Sequence, residues 1–465
     1  MEGDEARAMN PHPAAQGRTE SATNNPRRSG PGILGARISY LLFGVIAALM
    51  ISDFLLRGVV PAFTPGRTDF SEVYTSAWLW RHGQNIYSSS LATSTQEKLV
   101  GVSVQVAPIY PPTTFALLSP FTFLPWKWAN FIWMMLCLAG VGATVFLVWR
   151  IGGFRGWSLR TMALMTFLLT FDPLHQAFHL GNLAVVVAPL ALWAILLAER
   201  EKDVAAGFVV GVATCLKPQI GIWIILYYLL RGRRKMFCSA LAAAAAVAAM
   251  LWSRSAVLLE SLPDYRANLH YSFAPGRPYG FSEGALPFHV NIVQVILYQS
   301  LHSVFASNLI AYVLYLSGIA FWGWMLWRAR FRIPASLAIA SLMALSFIAL
   351  YHSVADTTIL TLALGWAIPA EEQSWTRIRI AIGVIFLLMM LPGHSALMRI
   401  SPYVAASVTS AWWWRLFVTR YFVWLLSALN VALLFGMWQS AQEVRAADAP
   451  PGPSFLIPRA GAAIY

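Results

Sequence analysis

Charge is what this chain has least of. Asp, Glu, Lys and Arg make up 11% of its 465 residues, and only 20 are acidic. So few charges cannot solvate the surface of a water-soluble protein of this length; 58% hydrophobic residues and a mean hydropathy of +0.59 place the chain among membrane proteins. Cysteine is almost absent. Cys137, Cys215 and Cys238 each sit inside an apolar run, which excludes a disulfide framework or a zinc cluster. There is no glycine-rich phosphate loop, no repeat of fixed period and no nucleophile elbow, so nucleotide-binding α/β units, solenoids and α/β-hydrolases are set aside. The net charge of +13 does not indicate nucleic acid, because the Arg and Lys residues fall in short clusters between apolar runs.

What is present is a series of apolar segments. Spans of about 17–25 residues fall at 38–57, 128–149, 179–198, 236–252, 305–326, 334–350, 377–393 and 412–438, and shorter ones at 160–172, 203–216, 219–230 and 355–370. The reading is an all-α polytopic membrane protein with about twelve transmembrane helices, since basic loops without two-residue alternation do not suit a barrel. Residues 1–32 form a polar cytoplasmic tail, 33–440 an integral membrane domain and 441–465 a second cytoplasmic tail. The first span lacks a cleavage site and reads as a retained anchor.

The basic clusters orient the chain. Arg27, Arg28 and Arg37 precede the first span; Arg150, Arg155 and Arg160, then Arg231, Arg233, Arg234 and Lys235, then Arg328, Arg330 and Arg332, then Arg377 and Arg379, follow later ones. Twelve alternating spans place all of them in the cytoplasm, provided that 287–303 lies in the interface or re-enters. The same alternation puts Asp69, Tyr74, Tyr110, Asp172, His175, His179, Asn182, Lys217, His352 and Asp356 at the opposite face. Ionisable groups gathered at one face point to one site there.

Each residue has a plainer reading beside the functional one. Asp69 opens a loop, 58–112, and is either a catalytic carboxylate or a helix cap, with Glu72 three residues on as in a capping box. Phe70, Val73, Ala77, Trp78 and Trp80 form an aromatic stripe suited to an amphipathic helix in the headgroup layer, and Gly83 is its C-cap. Tyr110-Pro111-Pro112 stiffens the exit from this loop. His175 and His179 stand at i, i+4, as metal ligands or as hydrogen-bonding groups; with no third ligand, no metal is expected. Lys217-Pro218 interrupts two short apolar arms, and its ammonium either snorkels or meets a lipid phosphate. A second large loop, 254–287, is polar and aromatic, either simply solvated or facing carbohydrate. His352 and Asp356 are again i, i+4, so Asp356 is placed to hold the imidazole in one tautomer.

The ordered set Asp69-Phe70-x-x-Val73-Tyr74, Gly83-x-x-x-Tyr87, Tyr110-Pro111-Pro112, Gly181-Asn182, Lys217-Pro218 and Tyr351-His352-x-x-x-Asp356 resembles glycosyltransferase family 87. Gly181-Asn182-Leu183-Ala184 departs from the Gly-Gln-x-Asn that members often show. The resemblance, running over about residues 38–370, implies a GT-C-type bundle in a bacterial plasma membrane. It implies inverting transfer of a sugar, mannose favoured, from a polyprenyl-phosphate donor to a glycolipid or glycan acceptor outside, with no cofactor and no nucleic acid. By it Asp69 matches the catalytic acid, Lys217 the group at the donor phosphate, and Tyr74, Tyr110, His175, His179, Asn182, His352 and Asp356 substrate-binding positions. A transporter or flippase of lipid-linked sugar is the alternative; it calls for internal repeats and mid-membrane polar pairs.

Overall fold

The computed structural model describes residues 41–448 except 43, 46–47, 50, 53, 61–68, 103–106, 275–291, 371–372 and 391–400. The described residues beyond position 42 belong to one compact unit. The polar tails 1–32 and 449–465 lie outside the described residues.

Every regular element described is helical. Numbering α-helices of seven residues or more, α1 is Asp69–Arg81, α2 Ser89–Val100, α3 Pro112–Leu118, α4 Trp126–Ile151, α5 Leu159–Leu169, α6 Asp172–His179, α7 Ala184–Glu199, α8 Asp203–Leu216 and α9 Pro218–Leu230. There follow α10 Arg234–Trp252, α11 Ser255–Phe273, α12 Ile292–Leu301, α13 Val304–Arg328, α14 Ala335–Ala349, α15 Thr361–Ala367, α16 Arg377–Met389 and α17 Tyr421–Asp448.

Among the described residues four helices, α4, α10, α13 and α17, are long and apolar enough to cross a membrane, which leaves the expected count of about twelve unconfirmed; parts of the first expected span, 38–57, lie outside the described residues. Some of the other apolar runs are cut short by local chemistry. Gly181 and Asn182 end the run at 179–198 on one side, so α7 begins only at Ala184. Pro218 separates α8 from α9, and Val354–Leu360 winds as a 3-10 turn before α15. Residues 441–448, expected to be a loose tail, continue α17.

Two loops are more ordered than their composition suggests. α1 is not an amphipathic helix with one face in the headgroups: Phe70, Val73, Tyr74, Ala77 and Leu79 are buried, and so are Ser71, Thr75 and Ser76 on its other faces. Its apolar face packs on α3 and α4, with the Phe70 ring stacked on Trp133 at 4.5 Å between centroids. On its polar side the Gln96 amide of α2 donates to Ser71 Oγ at 2.9 Å. Within 254–287, residues 255–273 form α11 and dock onto the first loop: Asn268 donates to Tyr87 O and Pro108 O, and Asn85 to Asp264 Oδ2 at 2.7 Å.

Close helix approach places the tip between α8 and α9. Gly207 and Gly211, one turn apart, lie against α10, where an added Cβ would come within 2.2 Å of Met236 O and 2.7 Å of Ala240 O. A Cβ on Gly221 would meet Thr214, so α8 and α9 fold back on each other with Lys217 at the reversal.

Candidate functional site

Five side chains from four distant stretches join at this end of the bundle. The amide of Asn182 donates to Asp69 Oδ2 at 2.5 Å, and its Oδ1 accepts from Lys217 Nζ at 3.0 Å and from the Ala184 N–H at 2.9 Å. Two donors facing Oδ1 leave only one sensible amide orientation, with the NH2 toward the carboxylate. Lys217 is also ion-paired with Asp356 Oδ1. Asp356 Oδ2 accepts from the Ser353 N–H at 3.0 Å. His352 stacks on Phe347 at 4.0 Å, and its Nε2 lies 3.0 Å from Ser346 Oγ.

Local backbone chemistry aims each of these groups. α6 ends in a Schellman turn, with the Asn182 N–H on Ala177 O and the Gly181 N–H on Phe178 O. Gly181 takes φ +59°, a conformation that costs any other residue strain, and its carbonyl accepts from Trp133 Nε1 at 2.8 Å. Asn182 is thereby turned toward Asp69. Lys217 is held by Thr113 and Thr114, which donate to Cys215 O at 2.6 Å and Leu216 O at 2.9 Å and so satisfy the open carbonyls ending α8. The Tyr110-Pro111-Pro112 segment is what delivers those threonines, since Pro112 starts α3. Sequence reasoning passed over Thr113 and Thr114; their position directly after Pro-Pro was the available signal.

Of the five, Lys217, Asp356, His352 and Asn182 are buried to 3% exposure or less, and Asp69 keeps partial exposure. Asp69 is thus the member of the five that keeps exposed surface. Burial raises its pKa above the ordinary 3.8, the Asn182 hydrogen bond and the Lys217 charge pull it down, and the Asp356 charge raises it. Burial likewise pushes His352 below its usual range.

Three expectations change. Asp69 and Glu72 form no capping box: the Asp69 N–H donates to Leu180 O at 2.7 Å, leaving nothing for Glu72 to accept. Asp356 does not clasp His352, since Nδ1 and Oδ2 stand 3.7 Å apart, beyond a hydrogen bond; the carboxylate prefers the full charge of Lys217. Lys217 does not snorkel outward, because it is buried, Asn182 bridges it to Asp69, and Asp356 pairs with the ammonium.

The other residues singled out from sequence stand outside this network. Tyr74 donates its hydroxyl to Leu124 O at 2.8 Å. Tyr110 contributes its carbonyl to Tyr87 OH at 2.9 Å. His175 Nε2 lies 2.6 Å from Leu169 O, and Asp172 accepts from Gln176 at 2.9 Å. His179 is half-buried, its Nδ1 without a hydrogen-bond partner among the described residues.

Comparison with known families bears on this arrangement. Residues 109–351, just over half of the chain, match the model of glycosyltransferase family 87, and the chain belongs to that family. It is therefore a glycosyltransferase, and its apolar helices make it a membrane one. Comparison with curated proteins gave no match. Asn182 and Lys217 fall inside the matched stretch, whereas Asp69, His352 and Asp356 lie outside it.

Proposed function

We propose that this glycosyltransferase moves a sugar, mannose in the first instance, from a polyprenyl-phosphate donor to a hydroxyl of a glycolipid or glycan on the outer face of a bacterial plasma membrane. One observation carries the reading: Asp69, the partly exposed member, is anchored through Asn182 to a buried cation, Lys217.

Asp69, ionised, accepts the proton of the acceptor hydroxyl as that oxygen attacks the anomeric carbon. The new C–O bond forms while the bond from the anomeric carbon to the phosphate oxygen breaks, and its electron pair leaves with the polyprenyl phosphate. A single base with in-line attack inverts the anomeric centre. Lys217 commits two of its three N–H donors to Asn182 and Asp356; the third, with the positive end of the α9 dipole, supplies positive potential for the departing phosphate. Asn182 fixes the carboxylate's direction. Asp356 holds Lys217 in place as a positioning residue, while His352 packs on Phe347 beside that pair.

The test is transfer in reconstituted vesicles supplied with a panel of radiolabelled polyprenyl-phosphate sugars. Asp69→Asn keeps the shape and the Asn182 contact but removes the base; its transfer is expected to fall by about 10²–10⁴-fold. Undiminished transfer by a monodisperse D69N protein would refute the assignment.

A further inference from the structure

Glu72 is a half-buried acid, its Oε1 enclosed, that the mechanism above does not use. It stands three residues after Asp69 on α1, on the same face and about 5–6 Å away between Cβ atoms. Its Oε1 has no hydrogen-bond partner among the described residues. The ordinary explanation, a cap, is removed because the Asp69 N–H is taken by Leu180 O. An uncompensated carboxyl oxygen at this depth costs stability, and a substrate group is what would repay it.

We infer that Glu72 is a sugar-binding residue, whose side chain receives a hydroxyl of the sugar placed beside Asp69. The inference rests on the transferase reading and deepens it. A sugar hydroxyl both donates and accepts, and a protonated carboxyl matches it on both counts. Burial, with the Asp69 charge second, raises Glu72 from 4.5 to about 8, so the group is a neutral acid at neutral pH. The surrounding charges do not alter this. α3 and Ser119–Phe123 carry no ionisable side chain; Glu97 and Lys98 of α2 and Lys127 of α4 are exposed, and the charge that acts on Glu72 is that of Asp69. His179, on the turn that receives Asp69, is held below its usual range by burial.

The experiment measures thermal shifts of the purified full chain with decaprenyl-phosphate mannose, with decaprenyl phosphate and with octyl α-mannoside. For the wild type at pH 6.5 the sugar-bearing lipid should raise the Tm by several degrees more than the bare lipid, and the excess should shrink at pH 9.5. Glu72→Ala should lose the excess at both values, whereas Glu72→Gln, which keeps a neutral donor and acceptor, should retain it at both. A loss confined to octyl α-mannoside supports the same contact with the acceptor's hydroxyl in place of the donor's. Full retention by E72A, or an E72Q excess that fades at pH 9.5 as the wild type's does, overturns the inference. Should E72A fail to fold, the wild-type and E72Q comparison across pH decides alone. Equal wild-type shifts from the two lipids would overturn the donor reading itself, and with it this contact; a clear wild-type excess with an unaffected E72A defeats Glu72 only.

Discussion

Asp69 and Lys217 are both costly to bury, and they are held by different means. Lys217 is neutralised by Asp356, a pair whose desolvation leaves little net stability but whose rupture strands a buried charge. Asp356→Asn should therefore destabilise the protein by about 3–5 kcal/mol, read as a lowered Tm, whereas Lys217→Met with Asp356→Leu should restore most of the loss without restoring transfer. Asp69 is tuned by burial, so the rate of transfer should rise with pH along a limb displaced above 3.8, the ordinary value of an aspartate. Glu72 adds a stability signature. Its folded value of about 8 exceeds the unfolded 4.5, so between these the folded protein holds the proton more tightly. Its contribution to stability is greatest below 4.5 and declines as pH rises toward 8. Glu72→Gln should flatten that decline in Tm measured across the window.

At the scale of elements, two short devices aim the site. The Schellman turn at Gly181 needs a positive φ, which costs an alanine roughly 1–2 kcal/mol; a Cβ there would also approach Trp133 Nε1 at 3.3 Å. Gly181→Ala should therefore turn Asn182 away from Asp69 and reduce transfer more than tenfold while the protein stays monodisperse. The α8–α9 reversal depends on small residues against α10. Gly211→Leu would force backbones apart there, and the expected cost is about 1–3 kcal/mol, seen as a Tm drop together with lost activity. The sequence pattern identifies the two apolar arms around Lys217 correctly as 203–216 and, to within a residue, 219–230. It does not reveal that α1 buries polar as well as apolar positions, because Ser71, Thr75 and Ser76 read as a polar surface until Gln96 and the packed neighbours are placed.

Over the whole molecule, the site and the basic turns lie at opposite ends of the same helices. α7 runs from the Asn182 turn to Glu199, which pairs with Arg231 at 2.9 Å. α8 runs from Asp203, paired with Arg233, back to Lys217, and α14 runs from the Arg332 turn toward His352. Such segregation matches positive-inside sorting and underlies the proposed outward-facing site. Cysteine labelling tests it: in a Cys238→Ala background, Ser90→Cys should react with an impermeant maleimide in intact spheroplasts, whereas Arg200→Cys should react only after permeabilisation. Reversed labelling would place the site in the cytoplasm.

By itself the sequence determined the class of structure and the family, since apolar length, basic turns and ordered short motifs are local properties that survive without coordinates. It also determined the residue types of the site: Asp69, Asn182, Lys217, His352 and Asp356 were all identifiable as polar groups out of place beside apolar runs. Their pairing was decided only by tertiary structure. A carboxylate can bond its i, i+4 histidine, its own helix end or a distant ammonium, and the choice depends on which partner packing brings within reach and on the low dielectric that makes the full charge of Lys217 the stronger attraction for Asp356.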